Sequence, residues 1–579
     1  MVPFTWLGPP VKQNIANAGP LALLVPLLDK LDVEKIIDRH LPPNPQQELS
    51  HGQVLRMLLA ARLCHPTALV NVADWAEKSG AAFFANIPVD KLNDDRLGRA
   101  LDAFFEHRHS ILGSMTAQAL QVTDLSLNRL HFDPTDLVFS GAYETSTPRL
   151  PQDKSQPFNG DGRLPAAHIC HGYTSDRKMI QASQLAVVDN LGAIPVFAHC
   201  LDGNRNGHPS IRETFQLAQQ HLSFPQTMLM ISDRGTCSIE HIARLNKNGY
   251  SALCAAQWQE YRSLYENNAD RLQWQPASFL SIEQKRRRTT QSALPQESYK
   301  LAVLNHELVD PADKKTIPAR IIFVHSSADE RDSRAHRQKN IAKIKARLEE
   351  IQEKFLRGHP QCTIASVTRQ VDQLLGNKEA GKYFAWQFVP LTVEEQNALP
   401  APKCGHRRAT MRLTFTLDSA AAEAKQRYDG LSVLVTTAPK TQSADLLFSQ
   451  YKQQNYVEML HHQWKTPLAV TPVFLKSPSR IEALVCLLQI ALQAYQVLER
   501  LYRQQVLKEE ARAERRMTAE RMLRAFQVYG LYIERTPLGN VVHTTKLTER
   551  QKQILSRLGF ATPEEILRRI LEPPPCLKQ

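Results

Sequence analysis

Apolar residues recur at spacings of three and four through the first part of the chain. Ser50 stands before a run carrying Val54, Leu55, Leu58 and Leu59, and Thr67 before one carrying Leu69, Val70 and Val72. Asn93 stands before a third, with Leu97, Leu101, Phe104 and Phe105. A capping side chain ahead of each such run predicts helices in series over residues 1 to about 125. Serial short helices suit a DNA-reading helix-turn-helix and suit a plain helical packing domain equally well.

The pattern changes near residue 126. Leu127–Leu137, Ala167–Tyr173, Leu185–Val188 and Ile194–Ala198 read as strands. The last two are joined by the turn signal Asp189-Asn190-Leu191-Gly192, so a hairpin is expected. Ser210–His221 reads as a helix, and Met228–Ile231 as a strand buried on both faces. Ser238 caps a helix through Ile239, Ile242 and Leu245 that ends at Gly249. Strands and helices in this order predict an α/β core on a mixed sheet.

From residue 257 the rhythm lapses. A basic cluster, Lys285-Arg286-Arg287-Arg288, precedes strand-like pieces at Leu301–Leu304 and Ala319–Val324. Ile341, Ile344, Leu348, Ile351 and Phe355 form a short heptad seam, which predicts a long helix packed on a partner. Its flank is basic: Arg331, Arg334, Arg337, Lys339, Lys343, Lys345 and Arg347. Such a run is either a solvated face or a DNA contact. Tyr383–Val389, Met411–Leu417 and Leu431–Thr436 follow as strands. Thr441–Lys465 reads as one helix, Pro467–Pro478 as a loop, and Ser479 as the cap of an apolar helix to about Tyr502. The expected organisation is a helical domain over 1–125, an α/β core split between 126–256 and 429–510, and an α+β insertion over 257–428. A basic tail over 511–579, helical at first, completes it.

Composition sharpens the class. Of 579 residues, 42% are hydrophobic and 22% charged, the balance of a globular chain. The net charge of +13 makes nucleic acid the first partner to consider. Nine cysteines without a C-x2-C pair argue against a zinc ribbon and a disulfide framework, and fit a reducing cytosol. Met1–Val11 lacks a secretory pattern, and Ala483–Leu498, broken by Gln489, Gln493 and Gln496, reads as a core helix rather than a membrane span. A cytoplasmic protein without membrane contact is expected.

Three acidic residues carry the candidate chemistry. Asp133 ends the strand-like run from Leu130, Asp233 ends the apolar run from Met228, and Glu458 sits in a Y-x2-Q-x3-E-x6-K block of Tyr451, Gln454, Glu458 and Lys465. Two aspartates at strand ends and a glutamate on a covering helix can hold two Mg²⁺ ions, which activate the attacking oxygen and stabilise the leaving oxygen of a phosphodiester. Mn²⁺ can substitute. Tyr451, Glu458 and Lys465 are spaced by seven, nearly two helical turns, so one stripe would present a metal ligand between two phosphate-contacting groups. Asp202 and Asp136 are rival ligands. His461 and His462 lie within reach of DNA, and Trp464 is either a base-stacking residue or a half-buried helix aromatic.

These segments resemble the DDE transposases of bacterial insertion sequences, in the insertion sequence four superfamily branch with a Y-x2-R-x3-E-x6-K signature. H-F-D-P-T at 131–135, L-D-G-N at 201–204, S-D-R-G at 232–235 and Y-K-Q-Q-N-Y-V-E at 451–458 carry the likeness. The stretches 474–484 and 92–102 extend it. The resemblance implies an RNase H-like core with Asp133, Asp233 and Glu458 as catalytic Mg²⁺ ligands, and Tyr451 and Lys465 on end DNA. It implies cleavage at transposon ends, joining of the freed 3′ hydroxyl to target DNA, and a homodimer or larger assembly on double-stranded DNA in the nucleoid. The signature arginine is here Gln454, which lacks arginine's charged fork for a DNA phosphate. An RNase H-like nuclease of another purpose and a non-catalytic DNA-binding relative remain as alternatives.

Overall fold

A computed structural model describes residues 5–6, 15–85, 87–144, 146–148, 164–172, 177–205, 207–236, 238–280, 297–359, 361–376, 379–400, 407–466, 468, 475–507, 509–536 and 539–571. The basic cluster at 285–288, Tyr173 and most of the 467–478 loop lie outside these residues.

The N-terminal helices form where the periodicity places them. Ser50 and Gln53 make a reciprocal capping box on the helix His51–Cys64. The Asn93 side chain accepts from the Arg96 amide at the start of the 30-residue helix Asp94–Thr123. Thr67 caps nothing; a 3-10 turn, Leu69–Asn71, leads instead into the helix Val72–Ser79. The stretch is also not wholly helical. Two-residue strands β1 (Thr5–Trp6) and β2 (Ile15–Ala16) add to a hairpin in the C-terminal tail, described below. Strands this short carry no period to detect, and their partners lie at the other end of the chain.

The central sheet begins with β3 (Arg129–Phe139), β4 (Cys170–His171), β5 (Lys178–Asp189), β6 (Gly192–Asp202), β7 (Leu229–Ser232) and β8 (Ser251–Ala256). The expected hairpin is β5–β6, turning at Asn190-Leu191, and both strands run longer than the apolar runs suggest. The expected strand at Ala167–Tyr173 shrinks to β4, which extends the β5 edge. β5 is antiparallel to β6 and to β3, whereas β3, β7 and β8 are mutually parallel. The order is β6-β5-β3-β7-β8.

The sheet then continues into the region expected to be an insertion. β9 (Gln275–Pro276), β10 (Tyr299–Val309) and β11 (Thr316–Ser326) join it through β14 (Leu431–Thr436), giving ten strands among the described residues. Only the segment from about 341 to 422 has a core of its own. There the helix Ser327–Leu356 buries Ile344, Leu348, Ile351 and Phe355 against the helix Ile364–Gly376 and the hairpin of β12 (Phe384–Pro390) and β13 (Met411–Leu417). The tail holds β15 (Leu531–Thr536) and β16 (Gly539–Thr544), which pair with β2 and β1 respectively.

The helix Pro478–Gln504 organises the rest. Its cap position is Ser477, with Pro478 in the first turn, rather than Ser479. It is long and apolar enough to cross a membrane, yet its apolar window is 100% buried inside the protein, so it is a core helix. The glutamines that interrupt its apolar run are its polar ties to the core. Gln184 Nε2 donates to Gln489 Oε1 at 2.7 Å, and Gln493 Nε2 donates to Thr116 Oγ1 and to the Pro195 carbonyl at 3.0 Å each. Glu482 pairs with Arg108 Nε at 2.7 Å, with side chains 1% and 3% exposed, and also accepts from the Ala167 amide at 2.7 Å.

Removing one member of that pair strands a buried charge. Arg108→Met is expected to cost about 3–5 kcal/mol, read as a lowered urea-unfolding midpoint by circular dichroism. Adding Glu482→Leu is expected to restore part of the loss. A midpoint unchanged by Arg108→Met contradicts the assignment.

Candidate active site

Strand register brings the two aspartates together. In the parallel β3–β7 ladder the last pair is Phe132 opposite Ser232. The next residue on each strand is therefore Asp133 and Asp233, side by side where strands lie about 4.8 Å apart. Side chains alternate across a sheet. Leu130 and Phe132 fill the core on one face, as do Met228 and Met230 of the β7 segment. Leu137 and Phe139 of β3, and Leu229 and Ile231 of β7, face the other side, which Asp133 and Asp233 share. Asp233 follows the end of its strand, as expected. Asp133 does not end a strand: β3 runs on to Phe139 because β5 keeps pairing with it. Its place is the end of the shared β3–β7 ladder.

The glutamate comes from the helix Asn455–Lys465. Val457, Leu460, His461 and Trp464 are its buried positions, and Glu458 and Lys465 are exposed. Thr441–Lys465 is not one helix. A 3-10 turn, Lys452–Gln454, separates Ala444–Tyr451 from Asn455–Lys465. That tighter turn breaks the even seven-residue stripe. Tyr451 is turned inward, and its hydroxyl donates to Asp233 Oδ1 at 3.1 Å. Burial, and then the charge of Asp233, push its phenol pKa above the ordinary range, so it stays a donor.

Two of the carboxylates act on the third. Asp133 is pushed up to about 7, first by burial, then by the charges of Asp233 and Glu458, with Lys465 opposing. The Lys465 ammonium is lowered by partial burial, against the pull of Asp136 and Asp133. His461 Nδ1 lies 3.4 Å from Asp133 Oδ2. Burial drives that imidazole down to about 3, so the contact is one of a neutral ring with a carboxyl group, not an ion pair. The donor set is all carboxylate oxygen, which suits a hard divalent cation. Among the described residues no three His, Cys, Asp or Glu side chains already converge on a single ion position. The carboxylates thus share a field and form an open set.

Like Tyr451, two further expected DNA contacts face inward. Trp464 is 0% exposed and packs in the core, so it offers no face to a base. Gln454 turns onto β3: its Nε2 donates to the Phe132 carbonyl at 3.2 Å and its Oε1 lies 2.7 Å from His131 Nδ1. His131 is fully buried, and its imidazole is held down to about 4, chiefly by that burial. The rival Asp202 accepts from the His168 amide at 2.8 Å beside the turn after β6, a structural role. Sequence reasoning does not reach His461 as the neighbour of Asp133, or His131 as the partner of Gln454. The signals are spacings: His461 lies three residues beyond Glu458 on the helix, and His131 lies two before Asp133 on the strand.

The raised Asp133 pKa carries a stability consequence. The folded value lies above the ordinary 3.8 of an aspartate, so the folded chain holds this proton over more of the pH range. The stabilising contribution is full below about pH 4 and is lost as pH rises through about 7. Without divalent cations, Asp133→Asn is expected to be more stable than wild type at about pH 8, by on the order of a few kcal/mol, and no more stable at about pH 4. Thermal unfolding at both pH values checks this.

No curated protein matches the chain. Residues 13–115 match a family described as a domain of unknown function (DUF4277), a domain typical of transposase-like proteins. The match therefore covers the N-terminal helices that pack on the core, and not the carboxylate site.

Proposed function

We propose that the chain is a DDE transposase, which binds the terminal repeats of an insertion sequence, cleaves DNA at the ends and joins them to target DNA. The observation that carries this reading is the β3–β7 register, which sets Asp133 beside Asp233 under the helix that bears Glu458. The strand order β6-β5-β3-β7-β8, antiparallel in its first two pairings and parallel in its last two, supports an RNase H-like core. The DUF4277 match over 13–115 and the net charge of +13 support DNA as partner.

Asp133, Asp233 and Glu458 would hold the metal. When bound, two Mg²⁺ ions, or Mn²⁺ in their place, would activate the attacking oxygen and stabilise the leaving oxygen. The chain's own groups prepare that step. Tyr451 holds one oxygen of Asp233 through its hydroxyl, and neutral His461 abuts Asp133. Lys465, exposed at the helix end, is the cation placed to meet a DNA phosphate at the rim. In this reading 126–256 and 429–510 are the two parts of the catalytic core, with the mainly helical 1–125, the insertion 257–428, whose β9–β11 extend the core sheet, and the tail 511–579. The protein works in the bacterial cytoplasm as a homodimer or larger assembly on DNA.

The test is cleavage of linear DNA carrying the element's terminal repeats, with Mg²⁺. Wild type is expected to nick at the ends. Asp133→Ala, Asp233→Ala and Glu458→Ala are expected to bind and to lose cleavage by on the order of 10²–10³-fold or more, since a metal supplies several kcal/mol of charge stabilisation. Wild type that binds ends and never cuts them supports the non-catalytic reading. Cutting without preference for ends supports a nuclease of another purpose.

A further inference from the structure

Gln454 occupies the signature position where the resembled transposases carry arginine, and its side chain is spent inside the protein. It is the last residue of the 3-10 turn Lys452–Gln454, four residues before Glu458. That spacing is about one helical turn, so whatever holds Gln454 also holds the start of the glutamate helix. The residues it touches are His131 and Phe132, directly before Asp133 on β3. One amide group therefore spans from the element that carries Glu458 to the element that carries Asp133.

The orientation of that amide follows from its partners. The Phe132 carbonyl can only accept, so the nitrogen of the amide must face it, at 3.2 Å. The amide oxygen then faces His131, and the 2.7 Å contact requires the ring to carry its hydrogen on Nδ1. His131 Nε2, buried and without a hydrogen-bond partner, is left as a lone pair rather than an orphaned donor. An arginine at 454 has donors only, so the His131 ring would have to accept at Nδ1 and carry its hydrogen on Nε2, a buried donor without a partner. Glutamine at 454 and histidine at 131 are thus matched to each other.

We propose that Gln454 is a positioning residue that fixes the distance between Asp133 and Glu458 by tying the pre-helix turn to β3, in place of a DNA-phosphate contact. The inference rests on the metal-site reading above. Groups that orient ligands from behind commonly change metal affinity by about 10–100-fold when removed.

The experiment uses the full chain and two readouts. The first is Mn²⁺ binding, followed by electron paramagnetic resonance, with Asp133→Asn as the control that defines the site. The second is binding of a duplex carrying the element's terminal repeat, in chelator, across a salt series. Gln454→Met, of similar length and without polar atoms, is expected to weaken Mn²⁺ binding by about 10–100-fold while end binding and its salt slope stay as in wild type. Gln454→Lys can reach the Phe132 carbonyl but cannot accept from His131. It is expected to bind Mn²⁺ more weakly than wild type and to gain nothing on DNA. Thermal unfolding checks that each variant is folded, and Gln454→Asn, too short to span both partners, replaces the methionine variant if that one is not. Unchanged Mn²⁺ binding in Gln454→Met overturns the proposal. So does tighter end binding by Gln454→Lys with a salt slope steeper by about one, the mark of an added phosphate contact. If wild type holds no Mn²⁺ that Asp133→Asn loses, the metal-site reading itself fails, and this inference falls with it.

Discussion

The site depends on one pairing: Phe132 opposite Ser232 in a parallel ladder. A parallel pair places equivalent residues on the same face, so the next residue of each strand, an aspartate in both, projects to one side. Sliding the register by one residue would send Asp233 to the opposite face from Asp133. The register is secured by burial on both faces. Leu130, Phe132 and Met230 pack on one side, and Leu229 and Ile231 on the other. Burial, and after it the charges of Asp233 and Glu458, make the ionised state of Asp133 costly, which is why its proton is held to about pH 7.

The covering layer holds that face in place. The helix Pro478–Gln504 is buried along almost its whole length and ties itself to the sheet and to the helix Asp94–Thr123 through Glu482, Gln489 and Gln493. Glu499 binds the helix back to the tail by accepting from the Ala519 amide at 3.0 Å. Beside it, Trp464 anchors the glutamate helix in the same core that holds the N-terminal helices. Buried polar groups in such a layer are satisfied by specific partners, so they fix one arrangement as well as stabilise it. The helix carrying Glu458 is accordingly held at three points: Trp464 in the core, Gln454 on β3 and Tyr451 on Asp233.

Much of this was legible in the sequence, and the gaps have physical causes. Ser50, Asn93 and Ser238 marked their helices because a cap is a local event. The β5–β6 hairpin was legible from its turn, and the heptad seam of Ser327–Leu356 from its period. The joining of β10 and β11 to the central sheet was not, since their apolar runs say nothing of which strand lies alongside. The two short N-terminal strands, whose partners lie in the tail, were hidden for the same reason. Asp133, Asp233 and Glu458 stand out in the sequence by order and spacing, and in the structure the charges of Asp233 and Glu458 both act on Asp133. The sequence leaves Trp464 open between a base-stacking and a half-buried role, and the 3-10 turn and packing partners that turn Trp464 and Gln454 inward are not visible in it. Nothing in the local sequence shows that Gln454 would meet His131, more than three hundred residues upstream.

The central claim is that these three carboxylates form one divalent-metal site. The most direct measurement is the anomalous scattering of Mn²⁺ in crystals of the chain bound to an end duplex. Mn²⁺ peaks within liganding reach of the Asp133, Asp233 and Glu458 carboxylates are what the account predicts. Peaks held by other residues, or none within liganding reach of Asp133, would contradict it.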